Sequence, residues 1–356
     1  MKIGISCHGF GHGGGIERYT MDLVNGLHAL GIRPVVFAKS FDTSIPEYAW
    51  IEPVRISVRG WPGKLRDHVF SHRLQKLKRL HNVDLLIACN RTTVSDIAIC
   101  GGTHIGHILN RKKPAGFWDR RQINLERQHY AHASVVVAHA ELMAAELREH
   151  YQVEDSRIHV LYPPIDAQRF SPVDADERLR LRTALGLPTD RVVFLFPSSS
   201  HVRKGLPQLA AYFAQSTQPI LLAVLGRPVD QTWPNVQYLG YHPDIENAYR
   251  AADYAILASR YEPFGLVGPE AVLCGTPAVL ASNVGCTEVL SADAVMRFEL
   301  DDPASLAACI GDAVARVQRG DGRLTDPRSH LSYDPDMAAH ARAILSTAGA
   351  CPTVQA

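Results

Sequence analysis

Apolar positions in this chain come in two patterns, repeated in alternation. Short continuous runs cover residues 2–6, 34–38, 84–88 and 134–138. Each is five residues long, rich in Val, Ile and Leu, and bounded by Gly or polar residues, as a strand buried on both faces would be. Between them lie stretches with helical spacing. Residues 17–30 place Met21, Val24, Leu27 and Leu30 on one face and stop at Gly31, and residues 141–150 form a second such stretch. The same alternation restarts further on. Strands are expected at 192–196, 220–225, 236–239, 254–257 and 278–280, with helices at 206–213 and 244–251. Repeated strand-helix-strand order predicts parallel sheets covered on both faces.

The two series are separated by a proline-punctuated connector, Leu161-Tyr162-Pro163-Pro164-Ile165 followed by Phe170-Ser171-Pro172. A chain of 356 residues accommodates two such units. The expected domains are residues 1–165 and 166–333. A last helix and tail follow at 334–356, returning to the N-terminal domain, with Asp334 as cap and Pro335 in the first turn. In open parallel sheets ligands bind beyond the carboxyl ends of the strands. The expected site is therefore the cleft between two α/β domains.

Charge narrows the classes. Lys and Arg number 37 against 36 Asp and Glu, so bulk attraction to nucleic acid is excluded. No apolar run approaches the roughly 18 residues of a membrane span, and the opening residues lack a signal-peptide core, which leads to the expectation of a cytoplasmic protein. The seven cysteines (Cys7, Cys89, Cys100, Cys274, Cys286, Cys309 and Cys351) are odd in number and show no C-x-x-C spacing. They read as small buried apolar residues.

Three motifs carry candidate chemistry. The first is Gly9-Phe10-Gly11-His12-Gly13-Gly14-Gly15, between a strand and a helix. Such a loop lets backbone amides approach a phosphate or sugar. It also contains the G-x-G-x-x-G of dinucleotide sites, although the second strand ends in Ala38-Lys39 rather than in an acid. A plain turn and a His8/His12 metal pair are the other readings. The second motif is Arg203-Lys204-Gly205, a planar fork and a point charge that suit a pyrophosphate. A solvated helix start is the alternative. The third is Glu262-Pro263-Phe264-Gly265-Leu266-Val267-Gly268-Pro269-Glu270, closed by Gly275-Thr276-Pro277. Its two carboxylates lie eight positions apart across a helix start, where amides are anion donors. A surface capping pair is the alternative.

The segment from Ala252-Asp253-Tyr254 through Ser259-Arg260-Tyr261-Glu262-Pro263-Phe264-Gly265-Leu266 to Glu270-Ala271 and Gly275-Thr276-Pro277 resembles the donor-site signature of glycosyltransferase family 4. These are retaining, nucleotide-sugar-dependent enzymes of the GT-B fold, with two Rossmann-like domains facing across a cleft. The likeness extends to the glycine loop, Arg203-Lys204-Gly205, Val236-Gln237-Tyr238-Leu239-Gly240-Tyr241 and Glu288. Within the family, the stretch from Ser198 to Gly205 and Cys89-Asn90-Arg91 with Asp96 most resemble the glucosyltransferases of the lipopolysaccharide core that act on heptose.

The resemblance implies roles. Glu270 would hold the donor ribose and Glu262 the donor sugar. Amides of Phe264, Gly265 and Leu266 would meet sugar hydroxyls or the distal phosphate. Arg203 and Lys204 would neutralise the diphosphate leaving group, with Gly14 and Gly15 approaching the phosphate from the N-terminal domain. The stretch around Tyr241 would contact the base. Asp96 and His104 would face the reacting sugar. Ser198 stands where some relatives carry a phosphate-binding Arg, and Pro263 and Pro269 are departures that remove no assigned side chain.

The implied reaction is transfer of a hexose from a nucleotide sugar, a UDP-sugar, to a saccharide or lipid-linked acceptor in lipopolysaccharide or surface-glycan synthesis. It needs no cofactor and no metal: no D-x-D pair follows a strand, and Asp301-Asp302-Pro303 reads as a helix start. One segment bears on the acceptor. Residues 55–79 hold Arg55, Arg59, Lys64, Arg66, Arg73, Lys76, Lys78 and Arg79 against Asp67, interleaved with Trp61, Leu65, Val69, Phe70, Leu74 and Leu77. It suits an anionic membrane surface, an anionic acceptor or plain solvent, and Arg111-Lys112-Lys113 would extend it. The rival functions are an NAD-dependent oxidoreductase and a non-catalytic nucleotide-sugar binding protein.

Overall fold

The computed structural model describes residues 1–110 and 114–350, with only the backbone of Lys64. Arg111, Lys112, Lys113 and Cys351, named above, lie outside the described residues. The chain divides into two compact units. Unit 1 is residues 1–166 together with the chain from Asp334 onward, and unit 2 is Ala167–Tyr333.

Unit 1 carries β1 (Ile3–Ser6), β2 (Gly9–Phe10), β3 (Val35–Ala38), β4 (Ser40–Phe41), β5 (Glu52–Arg55), β6 (Leu85–Ala88), β7 (Ile97–Cys100), β8 (Val135–Ala138) and β9 (Ile158–Val160). Seven of these form one parallel sheet, ordered β5-β3-β1-β6-β7-β8-β9. Alternate side chains of β3 and β6 enter two different cores. Ile3, Ile5, Val36, Ile87 and Val137 pack with Met21, Val24, Leu27, Ala341 and Ile344. Val35, Phe37 and Leu86 pack on the other face with Phe70 and Leu74. Burial on both faces is why these strands read as unbroken apolar runs.

Unit 2 carries β10 (Val192–Ser198), β11 (Ile220–Gly226), β12 (Val236–Gly240), β13 (Tyr254–Leu257), β14 (Ala278–Ala281) and β15 (Val295–Phe298). They form a parallel sheet ordered β12-β11-β10-β13-β14-β15. In both sheets the chain first builds outward in one direction and then returns to build in the other. The reversal falls between β1 and β6 in unit 1 and between β10 and β13 in unit 2. Residues just beyond the carboxyl ends of those strand pairs flank a crevice where ligands bind in doubly wound sheets.

The last helix, Met337–Thr347, belongs to unit 1. It packs on the first helix, Gly15–Ala29, so closely that a Cβ at Gly26 would stand 2.1 Å from the Met337 carbonyl oxygen. Tyr19 and His340 bond across this contact at 3.0 Å. The cap of the last helix differs from the expectation. Asp336, not Asp334, accepts from the Ala339 amide at 2.7 Å, and Pro335 precedes the helix. A capping carboxylate reaches an amide two or three residues on; Asp336 so reaches the Ala339 amide, for which Asp334 is too far back. The remaining cysteines have free thiols: Cys7, Cys89, Cys100, Cys274 and Cys286 are buried, and Cys309 is half-buried. No helix among the described residues is long and apolar enough to cross a membrane.

Candidate functional site

In unit 2 the three expected elements of a donor site meet at the sheet's reversal point. Arg203 and Lys204 end a one-turn helix, His201–Lys204, just after β10. Glu262 lies in the loop after β13. Because β10 and β13 are neighbours, residues 59 positions apart come together: the Arg203 guanidinium donates from Nη1 to Glu262 Oε2 at 2.9 Å and to the Tyr261 carbonyl at 3.0 Å. Ser259 Oγ donates to the same carboxylate oxygen at 3.3 Å. Lys204 Nζ donates to the Pro197 carbonyl at 3.1 Å. Backbone bonds fasten the turn to β13, from Ala258 N to Lys204 O and from Arg260 N to Arg203 O. Gly205 makes the approach feasible. Its φ is +87°, and a Cβ there would lie 2.2 Å from the Ala258 carbonyl oxygen.

Burial pushes the Lys204 ammonium below the ordinary lysine value; the Glu262 carboxylate opposes this and Arg203 adds to it. A cation so placed gains from any anion that reaches it. Glu270 stands in the first turn of the helix Val267–Leu273, with its side chain buried. That position favours a carboxylate through the helix dipole. Tyr249, fully buried, donates its hydroxyl to Glu270 Oε2 at 3.1 Å. Pro269 falls in the first turn, where its missing N–H costs nothing. The loop between the two glutamates is clamped from outside: Glu262 bridges to Val284, and Cys286 N donates to Phe264 O at 2.6 Å. Phe264, Gly265 and Leu266 thus lead directly into the Glu270 helix.

Ser198 is the buried last residue of β10, and its Oγ bonds His201 Nδ1 at 3.0 Å. His201 Nε2 in turn meets the Arg227 and Pro228 carbonyls. Tyr241 follows the edge strand β12 and is 79% exposed.

In unit 1 the glycine loop opens the helix Gly15–Ala29. The Gly14 amide is already engaged, donating to Glu17 Oε2 at 3.0 Å in a capping box. A Cβ at Gly15 would meet nothing within 4 Å, so the space above that residue is open. His104 follows β7 at the carboxyl edge. Its Nε2 meets Asp119 Oδ1 at 3.0 Å, and its amide donates to Glu126. Buried Glu126 also accepts from Arg91 Nε at 2.6 Å and from the Tyr151 hydroxyl. At the same edge Lys39 and Asp67 pair at 2.7 Å, beside His8, whose pKa burial and Lys39 lower.

Asp96 does not join this group. It precedes β7, at the amino edge of the sheet, where its Oδ2 accepts from Lys78 Nζ and the Leu86 amide. A carboxylate there fastens a strand to a helix and stands at the opposite end of the sheet from His104. The resemblance has Asp96 and His104 both facing the reacting sugar; the structure puts them at opposite ends of the sheet and does not bring them together. The basic segment is also narrower than its sequence suggests. Phe70 and Leu74 of the helix Arg66–Leu80 enter the core and Lys78 is paired, leaving Arg55, Arg59, Arg66, Arg73, Lys76 and Arg79 exposed. Phe70 and Leu74 face the protein, while Trp61 and Leu80 stay exposed beside the charges.

Sequence reasoning missed Tyr249, Asp119 and Glu126, and gave Ser259, which stands within the signature, no role. The first three lie outside the motifs they support and reach them only through tertiary contact, so no spacing marked them. Among the described residues no group of three His, Cys, Asp or Glu is placed to hold a metal ion.

Two parallel sheets with reversal points, one of them flanked by paired cations and carboxylates, define the class. The family model of Glycosyltransferase Family 4 matches residues 13–169, and that of Glycosyl transferases group 1 matches residues 191–316. The chain belongs to these glycosyltransferases. It is 50% identical to a probable transglycosylase of Burkholderia thailandensis over 351 residues, covering 98% of this chain and 97% of that protein. Its fold is that of WaaG, a glycosyltransferase involved in lipopolysaccharide biosynthesis (TM-score 0.75, 18% identity, 95% and 98% of the two chains covered). It is equally that of Anabaena HepE solved with UDP and glucose (TM-score 0.78, 18% identity, 98% and 99% covered). The protein is thus a GT-B glycosyltransferase, a hexosyltransferase by family, and the dehydrogenase reading of the glycine loop is set aside.

Proposed function

We propose that this enzyme transfers a hexose, with retention of anomeric configuration, from a UDP-sugar to a saccharide or lipid-linked acceptor of a surface glycan such as the lipopolysaccharide core, without a metal ion. The observation that carries the donor half is the meeting of Arg203, Lys204, Glu262 and Glu270 at the reversal point of unit 2. The solved HepE complex with UDP and glucose and the name of WaaG favour the donor and the pathway.

Chemistry follows from charge. As the bond from C1 of the sugar to the diphosphate oxygen breaks, positive charge develops on the sugar and negative charge on the leaving phosphate. Arg203 and Lys204 stabilise that phosphate, which is where transition-state electrostatics act most strongly. Glu270 binds the ribose hydroxyls, and Glu262 the sugar hydroxyls, together with the amides of Phe264, Gly265 and Leu266. Tyr241, exposed beyond β12, offers a ring to the base. The acceptor hydroxyl forms its bond to C1 on the face the leaving group vacates, and its proton passes to the departing phosphate oxygen. In unit 1, His104, fixed by Asp119 and Glu126, and the open face at Gly15 are the groups proposed to serve the reacting sugar and the phosphate. Asp96 has no role in this reading. The exposed arginines and lysines within 55–79 provide an electrostatic contact to an anionic acceptor or to the inner face of an anionic membrane.

The test is product analysis. The protein is incubated with UDP-glucose, UDP-galactose, UDP-GlcNAc or GDP-mannose and a truncated core oligosaccharide, with and without EDTA. The reading expects UDP release from a UDP-sugar, an axial product linkage by proton NMR, and no effect of EDTA. An equatorial linkage, loss of activity with EDTA, or preference for GDP-mannose would each overturn the corresponding part. Flotation with anionic against neutral liposomes decides the membrane contact.

A further inference from the structure

Glu270 is a carboxylate in a buried position, and the structure shows how it is held there. The Tyr249 hydroxyl donates to Glu270 Oε2 at 3.1 Å. Tyr249 itself is fixed from two other sides. Its backbone carbonyl accepts from Thr276 Oγ1 at 2.6 Å, and its ring lies against Phe170 with centroids 6.2 Å apart. Thr276 is fixed in turn, because its hydroxyl accepts from Arg323, whose other guanidinium nitrogen bonds the Cys274 carbonyl at 2.7 Å, at the carboxyl end of the Glu270 helix. One chain of contacts therefore runs from the end of that helix, through Arg323, Thr276 and Tyr249, back to the carboxylate at its start.

The last torsion of a glutamate is broad and roughly two-fold, so packing alone leaves the carboxylate plane loosely defined. A hydrogen bond to one oxygen defines it. A carboxylate has two oxygens and about four lone-pair positions, so it can accept from Tyr249 and from ligand hydroxyls together. Ordering a rotamer-rich side chain before the ligand arrives removes that entropy loss from binding.

We infer that Tyr249 is a positioning residue for the nucleotide ribose: its hydroxyl orients the Glu270 carboxylate for a vicinal diol. The inference rests on the donor reading of unit 2 and adds to it a residue outside the donor motif. Tyr249→Phe deletes only the hydroxyl, since the bond to Thr276 is made by the backbone and the ring packing is kept.

The test is calorimetric titration of the wild type, Tyr249→Phe and Glu270→Ala with UDP and with 2′,3′-dideoxy-UDP, which lacks the diol. A positioning role predicts that Tyr249→Phe weakens UDP about three- to tenfold, the order expected for one pre-ordered polar contact. It leaves the dideoxy analogue within about twofold, because that ligand does not use the carboxylate. Glu270→Ala brings the two ligands to similar affinity. If Tyr249→Phe leaves UDP binding unchanged, or weakens both ligands equally, the positioning role is wrong while the donor reading stands. If the wild type binds neither ligand, the donor reading fails and takes the positioning role with it.

Discussion

Burial sets the properties of Lys204. Its lowered pKa means that the free protein releases that proton at a lower pH than an ordinary lysine, while a bound diphosphate favours the charged form. Below the lowered pKa the ammonium is already present, so Lys204 adds no pH dependence to UDP affinity. Above it, binding must recover a proton and affinity falls. We therefore expect UDP affinity to decline beginning below pH 10.5, the ordinary lysine value, and Lys204→Ala to abolish that decline; a decline unaltered in the variant would assign it to another group. For the reaction itself, Arg203→Ala and Lys204→Ala should each lower kcat by about 10²- to 10³-fold, as loss of one transition-state donor does, with far smaller loss of UDP binding. Equal losses in kcat and affinity would make the two cations simple binders. At this scale the sequence exposed the cations and the carboxylates as separate motifs. Their contact became visible only when β10 and β13 proved to be neighbours. Which end of the sheet Asp96 occupies was not legible, because a loosely matched acid has no periodicity to reveal it.

Among elements, the first and last helices of unit 1 depend on one missing side chain. Gly26→Ala would drive a methyl group into the Met337 carbonyl, so the helices must separate. Overpacking of this kind costs about 1–3 kcal/mol, measurable by urea unfolding. Gly15→Ala is the contrasting case. Nothing stands within 4 Å of the added methyl, so stability should change by less than about 1 kcal/mol, while donor turnover should fall if a phosphate approaches that backbone. Unchanged turnover would remove Gly15 from the donor site. β5 and the fully buried β7 were not read from the sequence, but most strands of the two sheets were legible because burial on two faces leaves an uninterrupted apolar signature. The helices Phe117–His132 and Ala175–Ala184 were not. Their exposed faces are mostly charged and polar, and only a few residues such as Leu125 and Tyr130 face inward, too sparse a stripe to stand out. β9 and β15, at the sheet edges, are short and only partly buried, which dilutes the same signature.

For the molecule as a whole, acid should act on its two units unequally. Burial lowers the pKa of His129 to about 4, of His139 to about 3 and of His340 to about 4, all in unit 1. These imidazoles are neutral when folded and take up a proton when the chain unfolds, with an ordinary value of 6.5. The unfolded state then binds more protons, so stability is fully present above about pH 6.5 and is lost as pH falls toward the folded values. Each contributes up to about 1.4 kcal/mol per pH unit across that window. Scanning calorimetry should show the transition of unit 1 moving to lower temperature between pH 7 and 5 faster than that of unit 2, and His340→Gln should reduce the slope. Parallel shifts of both transitions would contradict this. Division into two α/β units, with the donor motifs in the second, could be read from the sequence because the strand-helix alternation restarts after a proline-rich connector.

The central claim is that unit 2 holds a uridine diphosphate sugar through Glu270, Arg203 and Lys204. The most direct measurement is the thermal stability of the purified protein and of Glu270→Ala against UDP, UDP-glucose, GDP and NAD. A ligand present at 100 times its dissociation constant stabilises the protein by about 2.7 kcal/mol, a readily visible shift. The account predicts such a shift with UDP and UDP-glucose, its loss in Glu270→Ala, and none with NAD. A UDP shift that survives in Glu270→Ala, or a shift with NAD alone, would contradict it.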